Sequence, residues 1–96
     1  MSNKELYQQK LQAQLDEWEA ELNKLRAKAS GASADAKLEM NQQIEDMQAK
    51  IDEGKAKLSE LAETSDDAWD SIKEGVESAW DSLKSGFREA ISKFKD

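Results

Sequence analysis

AKASGASADAK, residues 27 to 37, decides the fold, because the chain on either side of it is helical and only this stretch can fold those helices together. Gly31 is the one glycine of the region and follows the basic Lys24, Arg26 and Lys28, so it reads as a left-handed helix C-cap. Ser33 ahead of Asp35 reads as the N-cap of the next helix. Both readings describe a hairpin turn. The alternative is a single long helix running through residue 31, with its apolar seam exposed until copies associate as an oligomeric coiled coil.

The flanks carry that seam. Before the turn, Leu11, Leu15, Trp18, Leu22 and Leu25 recur in steps of four and three, the spacing of a heptad repeat. After it come Met40, Ile44, Met47, Ile51, Gly54, Leu58 and Leu61 with the same steps. Folded antiparallel about Gly31, the runs pair Leu22 with Met40, Trp18 with Ile44, Leu15 with Met47 and Leu11 with Ile51. Ser2 with Glu5 forms a capping-box pattern that starts the first helix near Asn3. Gly54 sits at a seam position where glycine costs about 1 kcal/mol relative to alanine, so it makes room for a bulky neighbour, with Tyr7 or Val76 nearest in these registers.

From residue 64 the period changes. Thr64 with Asp67 is a second capping-box pattern, and Asp66, Asp67 and Asp70 suit the positive end of a helix. DDAWDSIKEGVESAWDSLKSGF, residues 66 to 87, nearly repeats after eleven residues: Trp69, Trp80 and Ile91 correspond, as do Ile72, Leu83 and Phe94, and Val76 with Phe87. Eleven residues make three turns at 3.67 per turn, close to the natural helical period, so the stripe runs almost straight. Trp69, Ile72, Val76, Trp80, Leu83, Phe87, Ile91 and Phe94 fall in one sector, edged by Ala68, Gly75, Ala79, Gly86 and Ala90. Folding back on the second helix pairs Leu61 with Trp69, Leu58 with Ile72, Gly54 with Val76, Met47 with Leu83 and Ile44 with Phe87. The heptad phase also continues through Ser65, which leaves an unbroken helix open there.

Composition bounds the chemistry. The 96 residues contain no proline, cysteine or histidine, which removes disulfides, thiolate and imidazole metal ligands and every catalytic set built on Cys or His. Asp-Asp-x-x-Asp at residues 66 to 70 has a spacing that can hold magnesium in large helical enzymes, but acids offsetting a helix dipole explain it here. We expect no cofactor, no small-molecule substrate and no enzyme activity. A net charge of -7 repels nucleic acid as a global field. The polar MSNKELYQQK start and the lack of a long apolar run give the cytoplasm as the expected address.

KLQAQLDEWEAELNKLRAKA (residues 10 to 29) followed by SDDAWDSIKEGVESAWDSLKSGF (residues 65 to 87) resembles a family of small bacterial coiled-coil stress-response proteins of cyanobacterial and proteobacterial type. Its most specific parts are LQAQLDEW and the paired Ala-Trp-Asp blocks at residues 68 and 79. Relatives usually carry charged helix formers where this chain has SGAS. The resemblance implies a helical protein without enzyme activity.

The expected architecture is therefore all-α, a three-helix antiparallel coiled-coil bundle in one domain, with helices near 3–30, 33–63 and 66–94. Its apolar stripes are expected to bind a protein partner or a second copy, giving a homo-oligomer. The basic, Phe-bearing end LKSGFREAISKFK (residues 83 to 95) adds a second expectation, that the C-terminal amphipathic helix lies on an anionic membrane surface.

Overall fold

The computed structural model describes residues 3 to 93. Three helices follow in order, α1 (Asn3–Ser30), α2 (Ala34–Glu63) and α3 (Asp66–Ser92), folded up, down and up into a rod of 52 × 19 × 19 Å. A continuous helix through residue 31 or residue 65 is thereby overturned. The Ser2 end of the first capping box, and Phe94 at the end of the apolar stripe, lie outside the described residues.

Both turns are made by serine caps. Ser33, extended at φ -65° and ψ 163°, accepts a hydrogen bond from the Ala36 amide on its Oγ, which satisfies one of the free N–H groups at the start of α2. Ser65 does the same for α3, accepting from the Ala68 amide at 3.2 Å. The expected capping role of Thr64 is corrected: Thr64 is the C-cap of α2, and its Oγ1 donates to the Glu60 carbonyl at 2.9 Å. Gly31 also departs from expectation, because no glycine among the described residues has positive φ. Instead α1 ends in tightened i to i−3 bonds, Gly31 to the Lys28 carbonyl and Ala32 to the Ala29 carbonyl, which use the orphan carbonyls without a left-handed residue.

The core is one continuous cluster along the rod, with Leu11, Leu15, Leu22, Met47, Ile51, Leu61 and Phe87 its most enclosed side chains. The seams mesh as heptads require, but displaced along the rod. Leu15 was expected opposite Met47; a Cβ built on Gly54 would instead lie 2.8 Å from Leu15 Cδ2, one heptad further along α2. The flanking contacts agree: Lys55 pairs with Glu19 at 2.7 Å, and Arg26 donates to Gln48 Oε1 at 2.5 Å. Two causes act together. Three residues are consumed in the Gly31 turn, and helical side chains lean toward their own N-terminus, so tips of antiparallel neighbours meet at higher numbers. The next position where the seams match again is a heptad away. In this register the first turn of α2 projects past the end of α1, and Leu38 stands 72% exposed there. The α2–α3 register shifts by one turn in the same sense: Gly54 faces Trp80 instead of Val76, and Ile72 emerges at the surface at 37% exposure instead of joining the core.

α2 is the strut of the bundle, since α1 and α3 each pack along it and approach one another much less closely. The small edge of α3 borders α2. Gly75, Ala79, Gly86 and Ala90 line the grooves toward α2, and the Lys50 stem crosses Gly86 at 3.0 Å from where a Cβ would stand.

The glycines give a discriminating test. Gly75→Ala, with open space around the added methyl, should stabilise the fold by about 0.5 to 1 kcal/mol. Gly54→Val should destabilise it by about 1 to 3 kcal/mol in denaturant titrations, because Leu15 and Trp80 already fill the site.

Candidate functional site: the aromatic seam between the first and third helices

α1 and α3 run parallel and approach one another less closely than either approaches α2, and aromatic rings bridge them. Tyr7 on α1 meets Trp69 on α3 with ring centroids 5.1 Å apart. Eleven residues later on both helices, Trp18 stacks on Trp80 at 5.4 Å, and the same Trp18 stacks on Phe87 at 5.1 Å. The eleven-residue interval of α3 is thus answered by an eleven-residue interval on α1. Parallel helices advance in step, so two rings set at equal spacing on each face one another at both levels.

Trp80 is the centre of this site. Its indole lies over Gly54, with Cη2 and Cζ3 at 3.4 and 3.5 Å from a Cβ built there, and its Nε1 donates to Gln14 Oε1. Only 3% of Trp80 remains exposed. A buried indole N–H needs an acceptor, and Gln14, half-buried on α1, supplies it. The hydrogen bond also fixes the height of α3 against α1, which apolar contacts alone leave free to slide.

Tyr7 closes the acidic end of the ladder. Partial burial raises its phenol above the ordinary value, and the Glu77 and Asp81 carboxylates raise it further by opposing a second negative charge. At the same end Lys4 donates to the Thr64 carbonyl at 2.5 Å, so α1 caps the C-terminus of α2.

The structure brings together most of the residues singled out from the sequence. Leu11, Leu15, Leu22, Leu25, Ile44, Met47, Ile51, Leu61, Trp69, Trp80, Leu83 and Phe87 are buried in one cluster, with Trp18, Leu58, Val76 and Ile91 partly buried against it. Gln14 escaped sequence reasoning, and Tyr7, expected beside Gly54, meets Trp69 instead, Gly54 being filled by Leu15 and Trp80. The signal for Tyr7 was its interval of eleven to Trp18, the same as that between Trp69 and Trp80. Nothing in the sequence distinguished Gln14 from its glutamine neighbours. Among the described residues no group of three or more carboxylates converges as a metal site, and no helix is long and apolar enough to cross a membrane.

The TMP repeat family matches residues 69–79 and 80–93, each match opening on a tryptophan of the ladder. This similarity covers about a quarter of the chain and lies along α3 as far as its C-cap Lys93. No curated protein and no solved structure matches the chain.

Phe87→Ala should cost about 3 to 5 kcal/mol of stability, and Gln14→Leu about 1 to 3 kcal/mol, the second by leaving a buried indole N–H without an acceptor. Denaturant titration of the two variants checks both. Tyr7, the sole tyrosine, should ionise above its ordinary 10.0 in the folded protein and return to it on unfolding. Because the fold favours the neutral phenol, this contribution is present below pH 10 and is lost as pH rises through the folded value. Comparing absorbance titration of native and denatured protein measures the shift.

Proposed function

We propose that the chain is a non-enzymatic helical interaction protein whose α1–α2 hairpin receives a helix carrying aromatic side chains at eleven-residue intervals. The observation that carries this reading is the equal spacing of Tyr7 and Trp18 on one side and Trp69 and Trp80 on the other. A groove presenting two aromatic platforms and the Gln14 acceptor selects a helix by register as well as by hydrophobicity. In the monomer the occupant is the chain's own α3. A second copy of α3, or a partner helix with the same interval, competes for the place by opening the Thr64–Ser65 turn, as in helix exchange between protomers. The resemblance to small bacterial coiled-coil stress-response proteins supports a role in the cytoplasm under stress, with homo-oligomers formed through such exchange.

A truncation ending at Thr64 tests the part given to α3. The shortened chain should lose helicity and bind a peptide of residues 65 to 93, recovering it. Full helicity and unchanged partner binding without α3 would reject the reading.

A second reading is favoured by the amphipathicity of α3, whose straight apolar stripe ends among Lys84, Arg88 and Lys93. A released α3 would suit an anionic membrane surface. Because Trp80 and Phe87 are 3% and 1% exposed, such binding requires the bundle to open first. Replacing both with serine should then abolish binding to anionic vesicles, and unchanged binding would reject this alternative.

A further inference from the structure

We propose that the protein associates end to end with further copies of itself, the basic tip of one rod seated on the acidic tip of the next. The proposal is independent of helix exchange through α3 and rests on the two ends of the bundle.

At one end, residues 3–7 and 59–70 carry six carboxylates against Lys4 alone. At the other, residues 24–39 and 84–93 carry seven cations against Asp35, Glu39 and Glu89. Part of this polarity follows from helix dipoles, since α1 and α3 start at the acidic end and finish at the basic one. α2 runs the other way and departs from its own dipole at its last turn. Its first turns carry Asp35 and Glu39 with Lys37, as the dipole favours, but its last turn carries Glu60 and Glu63 and no basic residue. Those last-turn carboxylates disfavour their own helix slightly and agree with the sign of the tip. A constraint acting on the whole tip accounts for that where local helix stability does not.

The apolar surface points the same way. Among the described residues, the large hydrophobic side chains that remain exposed are Leu38 at the basic tip, and Leu6 and Ile72 toward the acidic one. Leu38, 72% exposed, borders a groove of about 500 Å³ with Met40, Gln43 and Lys93. Complementary charge around apolar residues at opposite ends describes a heterologous contact, in which different surfaces of the same chain meet and the assembly stays open.

Size limits its strength. A 19 × 19 Å cross-section offers on the order of 360 Å² a side, well below the roughly 800 Å² of a standard stable interface. The association is therefore weak, dependent on concentration and sensitive to salt.

Sedimentation and small-angle scattering of the full chain at rising concentration test the proposal. In low salt the apparent mass should increase while the cross-section stays that of one rod, and about 0.5 M salt should restore the monomer. Lys28→Glu with Lys37→Glu removes the basic tip, and Glu60→Lys with Glu63→Lys weakens the acidic one. Each double variant alone should associate at least tenfold more weakly, with unchanged tryptophan emission showing that α3 stays docked. Mixed together, they keep one good acidic tip and one good basic tip, so they should form pairs and nothing longer. A wild-type chain that stays monomeric in low salt, particles that thicken instead of lengthening, or mixtures that grow beyond pairs would overturn it. So would capture of the basic tip by anionic vesicles, lost in the Lys28→Glu/Lys37→Glu variant, without self-association.

Discussion

The indole of Trp80 lying across Gly54 is the contact on which the rest of the bundle depends. A side chain at residue 54 would occupy the space that the ring fills, and Leu15 closes the same space from α1. With the ring in place, its N–H reaches Gln14 and its face reaches Trp18, so one residue of α3 touches both other helices. The roughly 1 kcal/mol that glycine costs inside a helix is offset here by burial of an aromatic side chain worth several times as much.

From that contact the asymmetry of the bundle follows. Toward α2, α3 presents the edge of Trp80 over Gly54 and the small Gly86 beneath the Lys50 stem; toward α1 it presents the rings of Trp69, Trp80 and Phe87. The eleven-residue period reconciles the two edges, because a stripe that barely drifts around the helix keeps its large and small sides facing the same neighbours over the whole length. A heptad stripe on α3 would drift about 20° per repeat unless the helices supercoiled, and would turn its rings away from Tyr7 or Trp18.

Much of this was legible in the residues, and the reasons differ by element. The first helix boundary followed from Ser33 as a cap behind Gly31, and the second from Thr64 with the acids Asp66, Asp67 and Asp70, one residue from the true cap Ser65. The core followed from periodicity. Register did not, because heptad seams match equally well at every seven residues and sequence holds no direct record of how side chains lean. Thr64 was mistaken for the cap because Thr and Ser at adjacent positions offer the same oxygen; both are extended, but the Ala68 amide donates to Ser65 while the Thr64 hydroxyl turns back to the Glu60 carbonyl. Gly31 was read as left-handed from its position, while the chain found a tighter ending that needs no such residue. Ile72 surfaced because a one-turn shift moves the edge of the stripe. The aromatic ladder was visible from α3 alone and became a site only when α1 answered it at the same interval.

A double-mutant cycle between Trp18 and Trp80 tests the central claim most directly. Denaturant titration of the wild type, Trp18→Ala, Trp80→Ala and the double variant isolates the coupling between the rings from the cost of each truncation. The account predicts a favourable coupling of about 0.5 to 1.5 kcal/mol, as for stacked aromatic pairs. Strictly additive losses would mean that the two rings are buried separately and that the matched interval does not hold α3 to α1.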